Sequence, residues 1–117
     1  MKAVFIHLSP FVSEWRRVRL TDEDLRSLES VIMGSPQAGA VMSGTGGLRK
    51  IRFAPASRSG GKSGGFRVCY AHFPQHSLIV FYALFGKNDQ SNLTAAERNM
   101  CRVVLKNLYE QLEARGG

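Results

Sequence analysis

Between Gly44 and Phe73 the chain carries Arg49, Lys50, Arg52, Arg58, Lys62 and Arg67 and no Asp or Glu. Arg offers phosphate a planar, bidentate fork and Lys offers it a point charge, so such a cluster on rigid backbone is a phosphate-binding surface. If the phosphate belongs to a phosphodiester, the cluster can also do chemistry. Attack on phosphorus concentrates negative charge on a five-coordinate centre, and preplaced cations then stabilise the transition state more than the ground state. Lys50, Arg52, Arg67 and Lys87 form the centre of the set, with Arg49, Arg58 and Lys62 around them.

Other motif-like strings carry less. Gly61-Lys62-Ser63 looks like the end of a nucleotide-binding Walker loop, but Ala56 stands where its first glycine is required and a strand follows in place of a helix. Gly44-Thr45-Gly46-Gly47 begins like a dinucleotide fingerprint, yet Arg49 occupies the third glycine's place, so the string reads as a tight turn. His7, His72 and His76 show no ligand spacing with each other or with Cys69 and Cys101, so no metal or other cofactor is expected. The two cysteines read as reduced packing residues. No Ser/His/Asp arrangement suggests a covalent nucleophile.

The elements that must hold the cations follow from periodicity. Residues 48–54 alternate as a strand, Ile51 and Phe53 on one face and Lys50 and Arg52 on the other. Phe66 to Phe73 forms the next strand, and its alternation puts Arg67 on the open face with Lys50 and Arg52. Ser77 to Phe85 forms a third, and Pro55 to Gly65 is the hairpin loop that carries Arg58 and Lys62. Upstream, Ala3 to Leu8 reads as a strand, and Ser9-Pro10 as the N-cap and first position of a helix with Phe11, Trp15 and Val18 at helical spacing. Thr21 to Asp24 is a capping box for a second helix with Leu25, Leu28 and Ile32 inward. Thr94 to Glu97 caps a last helix with Met100, Val104, Leu108 and Leu112 in its stripe. The expected fold is α+β, strand-helix-helix-strand-strand-strand-helix, with a central antiparallel sheet packed by the N-terminal helices and a C-terminal helix.

Composition agrees with one domain over residues 1–117, enough chain for a single modest core. Sixteen Lys plus Arg against nine Asp plus Glu give a formal charge of +7, which favours a polyanion or an acidic protein as partner. No secretion signal is visible, and the longest apolar run, Leu78 to Phe85, is far short of a membrane span of about 20 residues. A soluble cytoplasmic protein without membrane partners is expected.

With this order of elements, the strings GTGGLRKIRFA, KSGGFRVCY and FYALFGKND resemble the RelE/ParE superfamily of bacterial toxins, most closely its HigB-type members. The resemblance spans nearly the whole chain. It implies the toxin of a type II toxin–antitoxin system, a metal-independent, ribosome-dependent endoribonuclease that cuts messenger RNA in the A site by attack of a ribose 2′-OH on the adjacent phosphate. Lys50 and Arg52 match the family's basic pair, Arg67 the arginine facing the scissile phosphate, and Lys87 a basic position after the last strand. Arg49, Arg58, Lys62 and Phe85 are then expected to contact RNA. The implied partners are the ribosome with its message and a cognate antitoxin, often of helix-turn-helix type, with operator DNA reached only through that antitoxin.

The chain departs from close relatives at Phe85, where they often have a tyrosine before the glycine of the GKN turn. A ring that stacks on a base is retained, and a phenol that could relay a proton is not. Tyr82 is the nearest substitute in sequence, but strand alternation sends it to the opposite face. Lys50, crowded by Arg52, Arg67 and Lys87, is then the candidate general base. A gyrase poison of the ParE type and an RNA-binding toxin homologue with weakened catalysis are the alternatives. An antitoxin could cover the cations with carboxylates, bind elsewhere and block entry by bulk, or dock on the Phe11, Trp15 and Val18 face.

Overall fold

The computed structural model describes residues 3–56, 65–86 and 93–116. Its elements are β1 (Val4–His7), α1 (Ser9–Arg17), α2 (Asp22–Gly34), β2 (Ala40–Val41), β3 (Arg49–Phe53), β4 (Phe66–Phe73), a 3-10 turn (Pro74–His76), β5 (Leu78–Phe85) and α3 (Ala95–Gly116). The expected order holds, with the two-residue β2 added.

The strands form one sheet in the order β1-β5-β4-β3-β2. β2, β3, β4 and β5 are antiparallel in succession, whereas β1 runs parallel to β5, Val4 beside Leu78 and His7 beside Phe81. The sheet is therefore mixed rather than wholly antiparallel, because α1 and α2 carry the chain from β1 at one edge to β2 and β3 at the other.

Each face of the sheet has its own core. On one side α1 and α2 bury Phe11, Trp15, Leu28 and Ile32 against Phe53, Phe66, Val68, Tyr70, Ile79 and Phe81. Ring stacks run through it, Phe11 to Phe81 at 5.0 Å and Phe11 to Trp15 at 5.4 Å between centroids. Phe11 and Trp15 are thus core residues, with 1% and 6% of their surface exposed, and offer no docking face. On the other side Cys101 and Leu105 of α3 pack on Met42, Leu48, Cys69, Ala71, Leu78 and Val80.

Local chemistry sets the helix starts. Thr21 caps α2 reciprocally with Asp24, each backbone N–H donating to the other's side chain at 3.0 Å. Thr94 and Glu97 repeat the arrangement before α3, at 3.1 and 2.7 Å. α1 starts one residue earlier than expected: Leu8 is its N-cap, Ser9 is already helical and no side chain caps it. Of the expected α3 stripe, Leu108 and Leu112 pack on this second core, whereas Met100 is 61% exposed and Cys101 and Leu105 are the buried residues of the helix. No described helix is long and apolar enough to cross a membrane.

Candidate active site

The turn before β3 aims the cations. Gly44, Gly46 and Gly47 have φ of 76°, 79° and 112°, conformations that strain any side chain. Fully buried Thr45 closes the turn, its Oγ1 donating to the Met42 carbonyl at 2.6 Å and accepting from Leu48 N–H at 3.0 Å. Arg98 of α3 donates to the Ser43 carbonyl and fixes the helix beside the same turn. The GTGG string is a structural turn with no nucleotide fingerprint.

β3 and β4 then pair Arg52 with Arg67 and Lys50 with Cys69. Directly opposed residues on neighbouring strands share a face with Cβ atoms about 5 Å apart. Lys50, Arg52 and Arg67 therefore stand together on the α3 face, as alternation predicts. On the next strand Arg67 is opposite Phe85 and Cys69 is opposite Ala83. The result is a row Arg52, Arg67, Phe85 across three strands, beside a row Lys50, Cys69, Ala83. Arg52 is exposed and Lys50, Arg67 and Phe85 are half-buried. Arg58, Lys62 and Lys87 lie outside the described residues.

Arg49 does not join this set. It pairs with Tyr70 on the α1/α2 face, and its guanidinium donates to the carbonyls of Gln37 at 2.9 Å and Gly39 at 2.7 Å. The Tyr70 phenol completes the clamp, donating to the Pro36 carbonyl at 2.8 Å and accepting from Gly39 N–H at 3.2 Å.

Tyr82 is where alternation misleads. Cys69 faces Ala83 but Tyr70 faces Phe81, so β5 takes two steps where β4 takes one. This bulge brings Tyr82 into the α3-side core with Ala83 and Phe85 instead of leaving it on the opposite face. Its phenol is hydrogen-bonded to the Cys101 sulfur, and burial, with help from Cys101, pushes its pKa up to about 12. It stays neutral throughout the neutral range, a poor proton relay. Burial likewise pushes both thiols up to about 11, against the pull of Lys50 on Cys69 and of the Tyr82 phenol on Cys101. Both cysteines are free, buried and inert, as their apolar context implies. Among the described residues no group of three His, Cys, Asp or Glu could hold a metal ion.

One part of the site has no local sequence signal. β1 stops opposite Phe81, so Tyr82 to Phe85 have no strand on that side among the described residues. A cleft of about 560 Å³ follows this edge between α1 and the start of α3, lined by Glu14, Arg17, Tyr82, Phe85, Glu97 and Met100 among others. Its walls come from positions 14, 82–85 and 97, and only the tertiary fold joins them.

No family model matches the sequence. Solved structures do match the fold. An arginine double mutant of E. coli toxin RelE in the free state is 18% identical over 90% of this chain and 98% of that one, with a TM-score of 0.53. The isolated E. coli RelE toxin is 15% identical over 94% and 98%, with a TM-score of 0.52. The intact E. coli RelBE toxin–antitoxin complex matches at 20% identity over 75% of this chain and 99% of that one, with a TM-score of 0.51. The chain has the RelE-like fold.

Proposed function

We propose that the protein is the toxin of a type II toxin–antitoxin pair, of HigB type, and cleaves messenger RNA on the ribosome. The observation that carries this reading is Arg52 set directly opposite Arg67, with Lys50 on the same face. Like charges opposed across a sheet destabilise it unless an anion bridges them, and an RNA phosphate is such an anion. The row continues to Phe85, a ring on which a base can stack. Likeness to RelE and to the RelBE complex supports the toxin class and an antitoxin partner, with the helix-turn-helix type and contact with operator DNA through the antitoxin as further parts of the proposal.

In the proposed reaction the ribose 2′-oxygen bonds to phosphorus as the bond to the 5′-oxygen breaks, leaving a cyclic phosphate and a 5′-hydroxyl. Arg67, between Arg52 and Phe85, stabilises the charge that builds on the phosphoryl oxygens. Arg52 holds the backbone, and Lys50 takes the 2′-OH proton. Lys87, Arg58 and Lys62 add cationic contacts along the strand of RNA. Water supplies the proton that completes the 5′-hydroxyl. A translating ribosome as target places the protein in the cytoplasm.

The test is cleavage-site mapping on a defined message, with and without ribosomes, for the wild type and Arg67→Ala. We expect ribosome-dependent cuts within codons, reduced about 10²–10³-fold in the variant. Loss of DNA supercoiling with intact message would assign the protein to the gyrase poisons instead. RNA retention without cleavage would leave a binding homologue.

A further inference from the structure

We propose that β1 pairs with β1 of a second copy of this chain, joining two five-stranded sheets across a two-fold axis. The pairing does not depend on the nuclease reading. β1 has β5 on one side and no strand on the other among the described residues. Val4 N–H donates to the Ser77 carbonyl at 2.8 Å and Leu8 N–H to the Phe81 carbonyl at 3.0 Å, so positions 4, 6 and 8 bond inward to β5. Phe5 and His7 therefore turn their backbone N–H and C=O groups outward, with no hydrogen-bond partner among the described residues. An edge of this kind is a template for another strand unless it is short, charged, bulged or broken by proline. β2, at the opposite edge, is kept to two residues. β1 has none of these guards. Its four residues pair in unbroken register, and residues 3–13 include no Lys, Arg, Asp or Glu and no proline before Pro10.

Symmetry and charge choose the occupant. Run antiparallel to its own copy with the two-fold axis at Ile6, the strand sets Phe5 opposite His7 and His7 opposite Phe5, each pair exchanging both of its N–H···O bonds. On the α3 face Ile6 then meets Ile6 of the second copy, and Val4, 63% exposed in the single chain, meets Leu8. On the α1/α2 face the ring of Phe5 meets the imidazole of His7. Both already stack on Phe81, at 5.6 and 5.3 Å between centroids, so the new pair extends an existing stack. No pair opposes like charges. This matters in a chain of net charge +7, whose cation rows lie on β4 and β3, two and three strands in from β1. An acidic partner is drawn to those rows, whereas the β1 edge matches an uncharged apolar strand, which the chain itself supplies. The pairing consumes both copies of this edge and leaves only the short β2 outside, so assembly closes at the dimer.

The test is sedimentation equilibrium of the full chain, with amide hydrogen exchange read by NMR at the same concentrations. A seam one strand wide is smaller than the roughly 800 Å² per partner of a stable dimer, so the expected Kd lies between about 10 µM and about 1 mM. Exchange of the Phe5 and His7 amides, open in the monomer, should slow in step with the dimer fraction, whereas the Val4, Ile6 and Leu8 amides are protected by β5 from the start. Val4→Lys sets an ammonium against Leu8 of the second copy and should weaken the dimer at least about tenfold, at an exposed position where the monomer keeps its fold. The exchange pattern is read on the wild type, so the proposal stands or falls without the variant as well. A monomer at every concentration overturns it, as does a dimer that leaves the Phe5 and His7 amides open or that a folded Val4→Lys chain forms equally well. Protection of those amides by an extended acidic peptide but not by rising concentration would give the edge to another protein's strand instead. Growth beyond the dimer would mean head-to-tail pairing of β1 with β2, and also overturns the two-fold seam.

Discussion

Arg52 and Arg67 repel each other across one strand spacing. For charges about 6 Å apart the repulsion is about 0.7 kcal/mol at the dielectric of water and about 3 kcal/mol at an effective value of 20. Arg52→Gln should therefore raise stability by about 1 kcal/mol, or roughly 4 °C in Tm, while lowering cleavage. Thermal unfolding at low salt measures this, and added phosphate should narrow the gap between variant and wild type. Lys50→Arg separates charge from proton transfer, since a guanidinium keeps the charge and does not give up its proton. As the base, Lys50 makes the variant lose cleavage rate while RNA binding holds, which single-turnover cleavage beside a binding titration measures. An unchanged rate would restrict Lys50 to electrostatics. At this scale the sequence told much of the story. Period-2 alternation placed Lys50, Arg52 and Arg67 on one face, and the same parity put Arg49 with Ile51 and Phe53, although nearness along the chain had grouped it with the cations. Tyr82 was not legible, because Phe81, Tyr82 and Ala83 all suit a regular strand and no Gly or Pro marks the bulge.

Among elements, the segment 36–39 depends on a close approach. A Cβ on Gly39 would lie 2.7 Å from Cγ2 of Ile51 and 3.0 Å from the Tyr70 ring and phenol. Gly39→Ala should push Tyr70 off its bonds to Pro36 and Gly39 and cost about 1–3 kcal/mol, read as a lower urea midpoint at constant slope. Thr21→Ala removes the cap of α2 and should cost about 1 kcal/mol by the same measurement. Both capping boxes could be read from four consecutive residues because capping is a local bond. The parallel partner of β1 and the burial of Leu105 in place of Met100 could not, since each is settled by which surface remains once the other elements have packed.

For the whole molecule, burial and then Arg49 lower the pKa of His72 from its ordinary 6.5, and its Nε2 is buried with no hydrogen-bond partner among the described residues. The unfolded chain takes up this proton near pH 6.5 and the folded chain only at lower pH, so stability falls as pH drops below about 6.5. The neutral variant His72→Gln should flatten the Tm profile relative to wild type between about pH 5 and 6.5, which thermal melts across that range would show. The parallel pairing of β1 has a consequence in time. Val4 meets Leu78, and β5 lies between β1 and β4. A nascent chain that has reached only the end of β4 can form the hairpin bearing Arg52 and Arg67, but it lacks the strand on which α1 rests and to which β1 must zip. On the reading proposed here, a protein that attacks the translating ribosome has no finished weapon until its own synthesis has passed Phe85.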